Sequence, residues 1–227
     1  MAPKVLKSAR KRLRLTQKEA AARLGLSQPY FSLLEKGKRK VTPKLAQTAV
    51  RVFKLSPTEL PVSENKVDQK VGGDQLAKRL AALGYPGFAY LRAGWTRNPA
   101  EVLLCALAKD ELESRVAEAL PWLVLHYADM DKNWLVREAR SRTLSNKLGF
   151  VVSLAKRLAE RSQNNAVSAK LADLEQELAT GKLDRETTFA QAHVSDAERE
   201  WLTHNRTAEA EYWHLLTDWR PEHLQYA

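Results

Sequence analysis

Polar groups and cations crowd one stretch of this chain. Residues 16–37 read TQKEAAARLGLSQPYFSLLEKG, and Lys38, Arg39 and Lys40 follow at once. Gln28 and Ser32 can exchange hydrogen bonds with the edges of bases, Pro29 and Leu33 can touch apolar features such as a methyl group, and the cations can hold phosphates. Nothing comparable points to catalysis. His126, His193, His204, His214 and His223 make no metal-ligand spacing with Cys105 or with each other. No His-Glu-x-x-His, phosphate-cradling glycine loop or serine elbow is present. Paired carboxylates such as Glu175 and Glu177 read as surface charge, and Cys105, in VLLCALA, as a buried small apolar residue. The chain is therefore read as a binding protein, not an enzyme, with no cofactor and no metal.

The elements that must position these groups are two short helices and a tight turn. Thr16 and Glu19 have the spacing of a capping box. Ala20, Ala21 and Leu24 give the first helix one apolar face, and Gly25 can take positive φ and stop it. Leu26 can plug the core and Ser27 can cap the second helix. There Phe31 and Leu34 face inward, which leaves Gln28, Pro29, Ser32 and Leu33 outside until Gly37 ends the helix. A cationic helix pair with small groups on its open face suits the major groove of duplex DNA.

The segment resembles the helix-turn-helix of the Cro/repressor (XRE) family at Thr16-Gln17, Ala21, Gly25, Ser27-Gln28, Ser32, Glu35 and Gly37, with the likeness extending over residues 4–60. The resemblance implies a λ-repressor-like DNA-binding domain whose third helix enters the major groove. Gln28, Pro29, Ser32 and Leu33 then take the base-facing places, and Gln28 can bond adenine through both ends of its amide. Gln17, at a helix start where backbone N–H groups are unpaired, takes the place of a phosphate clamp. Tyr30, Lys36, Lys38, Arg39 and Lys40 are expected on phosphates as well, and Arg14 is open between a phosphate contact and a solvated cation. Arg10 and Glu35 match an internal salt bridge of the family. The resemblance also implies a homodimer on a pseudo-palindromic operator.

Composition agrees. Of 37 Lys+Arg and 27 Asp+Glu (net charge +10), residues 1–60 hold 15 and 3, a net +12; the remainder, 22 and 24, comes to −2. So cationic a segment is the footprint of a polyanion binder. One cysteine permits no disulfide within the chain, the first residues lack the apolar core of a signal peptide, and no apolar run is long enough to span a bilayer. A cytoplasmic location without membrane contact is expected.

Hydrophobic periodicity makes the chain all-α. Five short helices are expected within a DNA-binding domain at 1–61: one over 3–13, the pair above, one from Thr42-Pro43 to Phe53, and a short one opened by Ser56-Pro57-Thr58-Glu59. Residues 62–73 turn polar, end in two glycines and read as a linker. Residues 74–227 read as a larger helical domain for dimerisation or partner binding. Helices are expected over 74–83, from Asn98-Pro99 to Ala108, from Asp110 until Pro121 breaks the run, from Trp134 to Arg161 with Gly149 bending or splitting it, from Asn164 to Gly181, and from the Ser195/Glu198 capping box. The stretch from Asn98 to Arg161 is similar to HEAT-like stacked pairs, with an irregular bundle as the alternative.

All six tryptophans lie in this second part. Core packing is expected for most of them, with an interface or ligand platform open for Trp213 and Trp219. Residues 132–161 hold eight Lys+Arg against Glu138 and Glu160, either as a solvated helix side or as a dock for DNA or an acidic partner. The run NPAEVLLCALAKDELESRVAEALPWLVL is similar to helical domains of bacterial XRE regulators that accompany abortive-infection nucleotidyltransferase toxins. The favoured reading is thus an autoregulating repressor serving as the antitoxin of a toxin-antitoxin system. Competing readings are a ligand-sensing repressor with its effector site in the C-terminal helices, an enzyme carrying a DNA-targeting module, and an RNA binder.

Overall fold

The computed structural model describes residues 1–62, 71–92 and 94–224. Most of the linker expected at 62–73, namely 63–70, lies outside the described residues. The chain is all-α and divides into two units, Met1–Glu64 with Trp95–Asn98, and Asn65–Gly94 with Pro99–Ala227.

The first unit holds α1 (Pro3–Arg12), α2 (Gln17–Arg23), α3 (Gln28–Glu35), α4 (Pro43–Phe53) and a 3₁₀ turn at Pro57–Glu59 where the fifth helix was expected. Each start is fixed locally. Thr16 and Glu19 form both arms of the capping box, Ser27 accepts from Tyr30 N, and Thr42 accepts from Leu45 N ahead of Pro43. Leu6, Ala9, Ala20, Ala21, Leu24, Phe31, Leu34, Ala49 and Phe53 make one buried cluster. The inward set read from the 3.6-residue period is therefore the core that holds α3. Four residues from much later in the chain belong here too. Thr96 O accepts from the Gln47 amide, and Asn98 Nδ2 donates to Thr58 O at 3.1 Å and to Leu60 O at 2.7 Å.

The second unit runs α5 (Gly73–Ala82), a 3₁₀ turn at Pro86–Phe88, α6 (Pro99–Leu107), α7 (Ser114–His126), α8 (Lys132–Ser141), α9 (Ser145–Arg161) and α10 (Asn165–Ala179). Then come β1 (Thr187–Thr188), α11 (Asp196–Asn205), α12 (Ala208–Tyr212), β2 (Leu215–Leu216) and a 3₁₀ turn at Pro221–His223. The two-residue strands pair in parallel, Thr187 with Leu215 and Thr188 with Leu216. Helix α9 is the centre, packed against α7, α8, α10 and α12.

Three expected boundaries move. α7 starts at Ser114 rather than Asp110, because the Leu112 N–H is committed to Ala190 O at 3.2 Å, which holds that stretch out of the helix. Pro121 does not break α7 but lies inside it, buried. A proline there forfeits one backbone bond, and the buried Leu120, Trp122, Leu123 and Val124 around it keep the helix going. The stretch 134–161 does split, but at Thr143, with φ 57°, instead of at Gly149. Gly149 lies within α9, where an added Cβ would come 2.4 Å from the Trp213 ring. The indole fills that gap, fully buried, and donates from Nε1 to Ser153 Oγ at 2.8 Å. Trp213 is core, as are Trp122 and Trp134, whereas Trp95 and Trp201 are exposed.

Candidate nucleic-acid interface

A relay of four side chains runs from the core of the first unit to its surface. Arg10 Nε on α1 meets Glu35 Oε1 on α3 at 2.7 Å, and Arg10 Nη1 donates to Leu15 O at 3.1 Å. The Glu35 side chain is only 3% exposed, so both its oxygens need donors. The second, Oε2, accepts from Arg10 Nη2 at 3.3 Å and from Gln17 Nε2 at 2.7 Å. Gln17 Oε1 in turn accepts from Gln28 Nε2 at 3.0 Å. The buried pair thus orients Gln17, and Gln17 orients Gln28. Gln28 keeps its carbonyl oxygen and one N–H, the acceptor and donor that the adenine edge requires.

Of the base-facing set, Gln28 and Pro29 are exposed, and Ser32 and Leu33 are partly exposed. Lys36, Lys38, Arg39 and Lys40 are exposed. Gly37, with φ +71°, turns the chain toward them, and an added Cβ there would lie 3.3 Å from Pro3 Cγ. Tyr30 is partly buried against the core cluster, so only part of its ring is open to a phosphate. The Gln17 amide is committed at both ends. What α2 offers an anion is therefore its first backbone N–H groups, at the positive end of the helix. Glu19 holds the Thr16 N–H and hydroxyl at 2.7 and 2.8 Å, and these bonds lower the pKa of its carboxyl. Held in this way, the carboxyl stays ionised beside the start of α2.

Within residues 1–60 Arg10 is the one Lys or Arg that has a carboxylate within 4.0 Å among the described residues. Arg12 closes the end of α4 through Phe53 O at 2.8 Å. The basic stretch at 132–161 differs. Lys132 pairs with Asp173 and Glu177, Arg142 with Glu138, Lys156 with Glu175, Arg157 with Glu209, and Arg161 with Glu222. Arg140 donates to Glu177 O and Thr180 Oγ1, Lys147 to Lys109 O, and Arg137 lies beside Glu138. These cations are engaged within their own unit, several of them fastening one helix to another, which speaks against a second DNA contact there. The sequence missed this because several of the partners, Asp173, Glu175, Glu177, Thr180, Glu209 and Glu222, come from far along the chain.

No helix among the described residues is long and apolar enough to cross a membrane. No curated protein and no solved structure matches the chain. Residues 6–60, about a quarter of its length, match the family model described as Helix-turn-helix. With α2, the Gly25 turn and α3 inside that match, residues 6–60 form a helix-turn-helix domain, which supports a DNA-binding transcriptional regulator of the XRE type.

Proposed function

We propose that the chain is a sequence-specific repressor that reads double-stranded DNA with α3 in the major groove. The observation that carries this is the Arg10–Glu35–Gln17–Gln28 relay, which presents an oriented amide on the outer face of α3 among cations that have no carboxylate partner among the described residues. Gln28 and Ser32 supply hydrogen bonds to bases, Pro29 and Leu33 touch apolar features such as a thymine methyl, and Lys36, Lys38, Arg39 and Lys40 grip phosphates. The protein acts as a homodimer on a pseudo-palindromic operator, and the chain is a binder rather than an enzyme. Its finer role is that of an autoregulating antitoxin whose second unit holds a toxin. Support for that role is the likeness of the run from Asn98 to regulators of this kind.

The test is selection of bound duplexes from genomic fragments by the purified full-length chain. A motif with two related half-sites about one helical turn apart is expected. No enrichment, or a preference for single-stranded RNA, would overturn the reading. A second reading, a repressor whose effector binds the C-terminal helices, is favoured by a cleft beside Trp219.

A further inference from the structure

The parallel pair β1 and β2 sends two chain segments out side by side. Residues 190–193 leave β1 and residues 218–219 leave β2, while Leu112 is tied to the first of these segments through its bond to Ala190 O. Between them and the start of α7 lies a cleft of about 390 Å³, lined among others by Glu111, Ser114, Gln191, Asp218 and Trp219. A space of this size suits a small molecule.

Its wall is rigid. The Trp219 ring packs edge-to-face on Phe189, with centroids 6.1 Å apart, and Phe189 packs in the same way on Phe150 at 5.4 Å. Both phenylalanines are buried, so the indole is braced from the core. Its charge is one-sided. His193 is the one basic side chain in the lining, with no Lys or Arg, and neither Glu111 nor Asp218 has a hydrogen bond or ion pair among the described residues. Elsewhere in this unit carboxylates such as Glu138, Glu175 and Glu209 are matched by cations.

We propose that this cleft binds a small organic cation, an amine or quaternary ammonium, held between the Trp219 ring and the carboxylates of Glu111 and Asp218. An aromatic face attracts a diffuse cation through its quadrupole. Two unneutralised carboxylates repel any anionic ligand. A bare metal ion fits poorly beside an indole wall, since a compact hydrated charge gains little there. Ser114 and Gln191 add acceptors for the N–H groups of a primary amine. The proposal does not depend on DNA binding; it supplies the chemical class of effector for the second reading above.

The experiment titrates full-length ¹⁵N-labelled protein with choline and, separately, with agmatine, at constant ionic strength set with sodium chloride. Indole N–H resonances are followed, and Trp219→Phe identifies the one from residue 219. At millimolar ligand at least one of the two cations is expected to shift the Trp219 signal, while 3,3-dimethylbutan-1-ol, the uncharged counterpart of choline, leaves it in place. Asp218→Asn, at an exposed position without a partner among the described residues, is expected to weaken binding by about tenfold or more. No shift with either cation, an equal shift with the uncharged alcohol, or unchanged affinity in Asp218→Asn would overturn the proposal.

Discussion

Gln28 donates from its side-chain nitrogen to Gln17 Oε1 across the turn between α2 and α3, at 3.0 Å. The residue proposed to read a base is held by the first residue of α2. Gln28→Ala is therefore expected to relax preference at one base pair by about 1–3 kcal/mol. Lys38→Ala should weaken all sequences alike and lower the salt slope by about one. Gln17→Ala, which frees Gln28 to rotate, should cost part of both effects. Binding of matched and mismatched duplexes at several salt concentrations separates the three; a footprint unchanged in Gln28→Ala counts against the assigned register.

The relay begins in a buried pair, and breaking such a pair leaves a charge without its partner. Glu35→Ala is expected to destabilise the first unit by about 3–5 kcal/mol. Glu35→Gln, which keeps an acceptor for Gln17, should lose less. Urea unfolding of the full chain measures both, and equal losses would show that the charge of Glu35 alone matters and not the acceptor that Gln retains.

Gly149 touches the six-membered ring of Trp213 where a methyl group has no room. Gly149→Ala should cost about 1–3 kcal/mol or more through overpacking. Adding Trp213→Leu should recover part of that loss, because the smaller side chain leaves space. Thermal unfolding of the single and double variants gives the coupling; strictly additive losses would contradict direct contact.

Acid should loosen the α8–α9 corner. The Arg142 guanidinium, donating to Glu138 Oε2 at 2.6 Å, holds the Glu138 carboxyl below its usual value. A depressed carboxyl pKa stabilises the fold above the unfolded value of about 4.5, and this support is lost as pH falls through the folded value. Arg142→Ala should flatten the dependence of stability on pH below that point. Urea midpoints between neutral and acid pH report it.

The cations of 132–161 should matter little for DNA. Arg161→Ala and Lys132→Ala remove exposed surface pairs, whose loss should change stability little. Affinity for the selected operator is expected to stay unchanged, whereas Lys38→Ala lowers it. A loss in Arg161→Ala equal to that in Lys38→Ala would mean that this stretch reaches the duplex after all.

What the sequence determined by itself is the local part. Thr16, Ser27, Thr42 and Ser195 cap helices because a short side-chain oxygen meets a free N–H two or three residues on. Phe31 and Leu34 point inward because a helix has 3.6 residues per turn. The excess charge of residues 1–60 needs only counting.

Tertiary structure decided what depends on residues far apart in the chain. Gly149 reads as a break until Trp213, 64 residues later, is seen to lie against it. Pro121 reads as a stop until its buried surroundings are known. Lys132, Lys156, Arg157 and Arg161 read as part of a free face until their partners arrive from α10, α12 and the segment after β2. Capping and periodicity are short-range effects that neighbouring residues settle among themselves, whereas close packing and charge pairing are settled only once distant segments meet in space.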